Sequence, residues 1–190
     1  MEAHVLKQAL GIDVAKDSLS LCLGTLKPDL EKEFIAMGEV ANDSSGFQKI
    51  SDYLTKGNIQ KQKLVVVMEA TGIYHEALAV YLHQQGFMIS IMQSGRVKRY
   101  AQSLEQRSKT DALDSRMLAM LGCERKLTNW SPPDKTFRQL KALSRERSFL
   151  LKEKNVEKNR LHAVKTAAYS NKKEVKRYAR RLKLLEKQLL

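Results

Sequence analysis

The chain has 190 residues, 34 Lys and Arg against 21 Asp and Glu, and a formal net charge of +13. That length suits one ordinary domain plus an extension. No apolar run approaches the ~20 residues of a membrane-crossing helix, the N-terminal "MEAHVLKQAL" lacks the apolar stretch of a signal peptide, and Cys22 and Cys123 make no disulfide framework, which excludes a membrane-spanning protein and a disulfide-built secreted module. A reducing, cytoplasmic setting is expected. The charge is uneven: Met1–Pro133 carries 16 basic residues against 15 acidic, and Asp134–Leu190 carries 18 against 6. A near-neutral body with a strongly basic tail points to nucleic acid, because phosphate contacts release counterions and dominate affinity.

"ALGIDVA" and "SLSLCLGTL" are short and apolar, and Lys16-Asp17 between them suits a tight hairpin. "EKEFIAMGEVA" fits an edge strand. "DSSGFQKISDYLTKG" has Ser44 or Ser45 as N-cap and Phe47, Ile50, Tyr53 and Leu54 at helical spacing, ending at Gly57. "KLVVVMEA" is β-branched without alternation, the mark of a strand buried on both faces. "YHEALAVYLHQQG" predicts a helix ending at Gly86, "FMISIM" a strand, and "RVKRYAQSL" and "TDALDSRMLAMLGCERK" two helices. Three hairpin-connected strands, then strand, helix and strand, is the order of an RNase H-like fold: an α/β mixed sheet flanked by helices, over residues 1–130.

"WSPPDKTF" marks the boundary to a basic helical region, 131–190, with Ser131 as N-cap, Pro132 at the first helical position and Asp134 completing a capping box. Leu140, Leu143, Leu150, Leu161 and Val164 form one seam, interrupted by Arg147, Lys154 and Glu157. After "AAYSNKKE", where Asn171 and Glu174 suit a second cap, Val175, Tyr178, Leu182, Leu185 and Leu189 keep a heptad. This predicts a helical hairpin or coiled coil. The pattern runs to the last residue without a stop signal, so the sequence reads as a fragment of a longer protein.

Four acids stand out. Asp13 lies between Ile12 and Val14 in an apolar strand, where an acid is costly unless paired or metal-bound, and Gly11 beside it leaves room for something to approach. Glu69 ends the buried strand, and side chains at carboxyl ends of such strands face the ligand crevice. Asp111 and Asp114 are spaced i, i+3 on one helix face. Alone, that pair reads as helix-dipole compensation worth ~0.3–1 kcal/mol. Together, the four read as a carboxylate cluster that needs a divalent cation, and hard oxygen ligands suit Mg²⁺ or Mn²⁺. Lys109 and Thr110 sit where helix N–H groups favour phosphate. Lys16 beside Asp13, the cluster Arg96, Lys98 and Arg99, and the tail residues Lys172, Lys173, Lys176, Arg177, Arg180 and Arg181 are candidate nucleic-acid contacts.

"GIDVAKDSLSL", "VVVMEATGIYH" and "SKTDALDSRMLA" resemble the signature blocks of the insertion-sequence 110 transposases, the Piv/MooV-type DEDD recombinases with a RuvC-like N-terminal domain. The resemblance covers residues 9 to 122. It implies that Asp13, Glu69, Asp111 and Asp114 are the metal-binding catalytic acids. It further implies a bacterial or archaeal DNA recombinase that acts at the nucleoid, a structured guide RNA, a homo-oligomer (dimer or tetramer), and a nucleophilic serine in a C-terminal domain absent from this sequence. The stretch "QSGRVKRYA" departs from the family, which often has Asn-Pro after the fifth strand. Two alternatives remain: a RuvC-like Holliday-junction resolvase or other structure-selective nuclease, and a non-catalytic nucleic-acid-binding dimerisation module. An actin-like ATPase is disfavoured, since Ala15-Lys16-Asp17 replaces its Gly/Thr phosphate turn.

Overall fold

The computed structural model describes residues 5–56, 59–70, 72–104 and 111–190, with the backbone alone at 111–113. The chain divides into two compact units, Met1–Pro132 and Pro133–Leu190. Among the described residues no helix is long and apolar enough to cross a membrane.

In the first unit, strands β1 (Lys7–Val14), β2 (Ser18–Leu26) and β3 (Lys32–Ala41) form an antiparallel meander. The turn of the first hairpin closes where the Ala15 N–H donates to the Ser18 carbonyl at 3.0 Å. The β2–β3 ladder slips at Leu21/Cys22, where Met37 is the extra residue. Gly38 takes φ 81° there, a conformation open to glycine and typical of a bulge. Helix α1 (Ser44–Lys56) leads to β4 (Leu64–Glu69), then α2 (Glu76–Gln84), β5 (Met88–Met92), α3 (Ser94–Ser103) and α4 (Asp111–Glu124). β4 pairs parallel with β1 and β5 pairs parallel with β4, giving the sheet order β3-β2-β1-β4-β5. An antiparallel meander continued by two parallel strands is the RNase H-like arrangement that the order of elements predicts.

β4 is buried on both faces, so its apolar run has no polar side to alternate with. Leu64, Val66 and Met68 join Leu10, Ile12 and Val14 against Phe47, Ile50 and Leu54 of α1 and Leu78 and Leu82 of α2. Val65 and Val67 join Ala9 on the opposite face, against Val97 and Tyr100 of α3 and Met117, Leu118 and Leu121 of α4.

Helix starts differ from expectation in two places. Asp43, not Ser44 or Ser45, caps α1: its carboxylate accepts from the N–H groups of Ser45 and Gly46 at 2.9 Å each. Those bonds, with the Ser45 hydroxyl, hold its carboxyl below the usual range. In the second unit, α5 (Lys135–Thr166) starts later than Ser131 and Pro132 predict. Pro133 disfavours helical backbone at the residue before it, and Asp134 becomes the N-cap, accepting from the Phe137 N–H at 2.7 Å. Asn171 caps α6 (Lys172–Gln188), accepting from the Lys173 N–H at 2.9 Å.

α5 and α6 form an antiparallel helical hairpin, joined by Lys154–Glu186 at 3.1 Å and Arg181–Glu157 at 3.6 Å. The heptad residues Val175, Tyr178, Leu182, Leu185 and Leu189 are each half-buried, while the positions between them are mostly exposed. Leu150, Lys154, Glu157, Leu161 and Val164 are the covered positions of α5. Leu140 and Leu143, assigned by sequence to the same seam, are 62% and 67% exposed. The reason is length: at ~1.5 Å per residue, a 17-residue α6 spans only about half of a 32-residue α5.

Candidate acid site and nucleic-acid surface

Alternation decides where the strand acids point. Leu10, Ile12 and Val14 face the α1–α2 layer, so Ala9, Gly11 and Asp13 face α4. In the same way Val65, Val67 and Glu69 face α4 from the neighbouring strand. The β1–β4 ladder ends at Ile12↔Met68, one residue before both acids. Asp13 and Glu69 therefore stand on one face, at the carboxyl ends of adjacent parallel strands, and each is half-buried.

Two glycines seat α4 on that face. A Cβ at Gly11 would lie 2.0 Å from the Ser115 carbonyl oxygen and 2.4 Å from the Ala119 nitrogen. One at Gly122 would lie 2.5 Å from the Ala9 Cβ and 2.9 Å from Val67 Cγ2. What Gly11 admits is thus the helix backbone itself. Since Ser115 sits over Gly11 and Gly122 sits back toward Ala9, α4 runs antiparallel to β1. Its first turn, starting at Asp111 and including half-buried Asp114, lies toward the carboxyl ends of β1 and β4. The side chain of Asp111 lies outside the described residues, as do Lys109 and Thr110. Among the described residues, no group of three or more His, Cys, Asp or Glu side chains is close enough to hold a metal. Of the described residues, Asp13, Glu69 and Asp114 are the acids that these three elements place toward this end, and carboxylate oxygens suit Mg²⁺ or Mn²⁺.

Two further features brace the two ends of α4 and its strands, and the sequence reading missed both. Asn42 Nδ2 donates to the Ala15 carbonyl at 2.8 Å and to the Tyr74 carbonyl at 3.3 Å. It ties the turn after Asp13 to the loop after Glu69. At the other end of α4, Glu124 accepts from Lys32 of β3 and from the Tyr100 hydroxyl of α3. Burial draws the Glu124 carboxyl upward, but these hydrogen bonds outweigh it, and the net shift is downward. The Tyr100 phenol is pushed up, by burial first and then by Glu124. Burial also pushes the neighbouring Cys123 thiol up to about 11, so it stays protonated. No one-dimensional signal marks either clasp, because their members come from distant segments.

The candidate nucleic-acid contacts fall into three groups. Lys16 is exposed in the turn three residues past Asp13. Arg96, Lys98 and Arg99 are exposed on α3. On α6, Arg181 pairs with Glu157, and Arg177 pairs with Glu174 at 3.6 Å and lies over the Tyr178 ring. Lys172, Lys173, Lys176 and Arg180 are exposed and form no ion pair with a described residue. His75, beside the Glu69 loop, is buried at the start of α2, a packing position.

The strand order and the acids at its carboxyl end define an RNase H-like domain. The chain belongs to the DEDD transposase family of IS110, whose pattern matches residues 10–181. It is 29% identical over 141 residues to the pilin gene-inverting protein of Moraxella lacunata, and 29% identical over 146 residues to that of Moraxella bovis. Each match covers 74% of this chain and 42% of the relative, so the chain spans less than half the length of these curated relatives. Among solved structures, T. thermophilus RuvC in complex with a Holliday junction substrate overlaps with a TM-score of 0.45 and 12% identity, covering 60% of this chain and 90% of that one. The yeast mitochondrial Holliday junction resolvase Ydc2 overlaps at 0.41 and 14%, covering 62% and 79%.

Proposed function

We propose that this chain carries the acid half of a DNA recombinase site, in which Asp13, Glu69, Asp111 and Asp114 together hold Mg²⁺ or Mn²⁺. The observation that carries the reading is the seat of α4: the Gly11 contact directs the first turn of the helix toward the two strand acids. Such an ion, when bound, supplies charge neutralisation and an activated oxygen for in-line displacement at phosphorus. The chain's own part is geometric and electrostatic. Asp13 and Glu69 are fixed by the sheet, and Asp111 and Asp114 by a helix N-terminus whose dipole favours negative charge. Lys16 stands where it would steady a DNA phosphate. Strand exchange then requires the nucleophilic serine of a further domain, as the family resemblance implies. A structured guide RNA selects the DNA, and the exposed cations Lys172, Lys173, Lys176 and Arg180 serve its phosphates. The protein works as a homo-oligomer in the cytoplasm.

The test is metal-dependent stabilisation of the 190-residue protein. A ligand that binds only the folded state at a hundredfold its Kd adds about 2.7 kcal/mol, several degrees in Tm for a chain this size. Asp13→Asn should abolish that rise. A full rise in Asp13→Asn would mean the ion sits elsewhere and would overturn the four-acid reading. The same protein, with Mg²⁺ and RNA, should not exchange DNA strands alone. Efficient exchange would favour an autonomous metal-only nuclease of the resolvase kind.

A further inference from the structure

Two cavities beside β5 share a wall. One, of about 430 Å³, is lined by Arg99, Tyr100, Ser103, Leu121 and Arg125. The other, of about 190 Å³, is lined by Ser90, Ile91, Thr128, Asn129 and Trp130. Met92, Arg96, Lys126 and Leu127 belong to both. The two make one groove between α3, the end of α4 and the segment that follows it. That segment is pinned along β5: the Trp130 N–H donates to the Ile89 carbonyl at 2.6 Å, and the Asn129 side chain accepts from the Ile89 N–H at 3.2 Å.

The groove has an apolar floor and cationic walls. Met92 and Leu121 are buried, and Leu127 is half-buried. Arg96, Arg99, Arg125 and Lys126 are exposed, and none forms an ion pair with a described residue. Among the described residues, no acid lines either cavity. Glu124, next to Arg125, already accepts from Lys32 and Tyr100. Four like charges around one groove repel each other until an anion lies among them. Lys98, which the sequence groups with Arg96 and Arg99, does not line the groove.

Position gives the groove its meaning. Glu69 pairs with Met92 across the β4–β5 ladder, so the two stand on one face of the sheet about 4.8 Å apart. The Met92 edge of the groove therefore lies one strand away from a candidate acid, and the groove runs from there toward the far end of α4.

We infer that this groove holds a single strand of DNA as it passes the acid end, with phosphates at Arg96, Arg99, Arg125 and Lys126 and bases over the apolar floor. A cationic groove with an aromatic residue along it is the physical form of single-strand binding; half-buried Trp130 lines one cavity, and the buried Tyr100 ring is part of the floor of the other. A duplex keeps its bases stacked and paired inside, so it presents no base face to such a floor. The inference rests on the recombinase reading above, which makes the strand DNA.

The experiment is lysine acetylation footprinting of the 190-residue protein in EDTA, with single-stranded DNA, duplex DNA or single-stranded RNA as the probe. Single-stranded DNA should reduce acetylation of Lys126 severalfold and leave Lys98 as reactive as before. Because metal is absent and Asp13→Asn should give the same footprint, failure of the metal site leaves this result intact. The double variant Arg96→Glu and Arg125→Glu should lose the protection, and its log-affinity against log-salt slope should fall by about 1.4, at ~0.7 per phosphate. A matched pair on α1, Lys49→Glu and Lys56→Glu, both exposed and away from the groove, should keep the protection. If the groove double variant lowers Tm, the neutral exposed change Arg99→Gln replaces it, with about half the loss of slope. Equal protection of Lys98 and Lys126, or none at Lys126, overturns the groove. Duplex DNA or RNA protecting Lys126 as well as single-stranded DNA does overturns its occupant.

Discussion

Gly11→Ala tests the link between packing and site. The added methyl would point at the Ser115 oxygen at 2.0 Å and the Ala119 nitrogen at 2.4 Å. Those are the i and i+4 ends of one α-helical hydrogen bond, so the methyl collides with backbone on two sides and no side chain can swing away. To restore an ordinary 3.4 Å contact with the Ser115 oxygen, α4 must retreat by about 1.4 Å. Overpacking a core costs about 1–3 kcal/mol, occasionally more. With backbone on both sides the upper end applies, about 3 kcal/mol, or roughly 10 °C in Tm. A retreat of that size also exceeds the ~0.2 Å tolerance of metal–ligand distances, so the variant should lose its Mg²⁺-induced stabilisation even where it stays folded. Urea unfolding with an unchanged m value measures the first effect, and the Tm shift with Mg²⁺ measures the second. Gly95→Ala is the control: nothing lies within 4 Å of its Cβ position in α3, and it should gain about 0.4–1 kcal/mol. Wild-type stability in Gly11→Ala would sink the packing argument. A destabilised variant with a full metal response would separate the seat of α4 from the site.

Glu124→Gln should flatten the acid limb of stability. The folded carboxyl lies below its ordinary value, so its contribution is fully present above about pH 4.3 and is lost as pH falls through the lowered value. The group is largely solvent-screened, which limits the effect to about 1 kcal/mol; an unchanged acid limb in urea melts at stepped pH would refute the clasp. Glu157→Met should leave the hairpin as stable or raise its Tm. Glu157 is 8% exposed with Oε2 unpartnered, while its partners Arg160 and Arg181 are more than half exposed and lose little when freed; a loss beyond about 1 kcal/mol would show a net-favourable ion pair. Replacing Lys172, Lys173, Lys176 and Arg180 by Ala should lower the salt slope of RNA binding by about 3, and an unchanged slope would remove α6 from the nucleic-acid surface.

The fold was legible where one residue type answers one local demand. The unalternating "LVVVME" announces a strand covered on both sides, and the Lys16-Asp17 turn announces the meander. Helix starts were less legible, because several Ser and Asp compete within a few residues and the winner is set by backbone direction; Asp43 and Asp134 won by reaching N–H groups two or three residues on. The seam of α5 was misread in its first half, since a heptad records apolar spacing but not how far the partner helix extends. At the candidate site, Asp13 and Glu69 were visible as acids inside apolar strands. Gly11 was noticed as space, but the occupant of that space, the backbone at Ser115 and Ala119, comes from over a hundred residues downstream. Asn42 and the Lys32–Glu124–Tyr100 clasp carry no local mark at all.

Charge shows the same limit in another form. The body sums to almost nothing, 16 basic residues against 15 acidic ones over Met1–Pro133, and the sequence alone therefore assigns nucleic-acid contact mainly to the tail. Folding separates what the sum cancels. Asp13, Glu69 and the first turn of α4 gather acids at one end of the sheet, and Lys32 and Tyr100 draw Glu124 into a clasp. Arg96, Arg99, Arg125 and Lys126 are left around one groove, whose Met92 edge is a strand's width from Glu69. A polyanion approaching the bare acids would be repelled. Cations set beside them, and not among them, give its phosphates a favourable path to the same place without neutralising the carboxylates that a metal needs. A near-zero sum over the body thus hides an acidic end and a cationic groove, each suited to a ligand of the opposite charge.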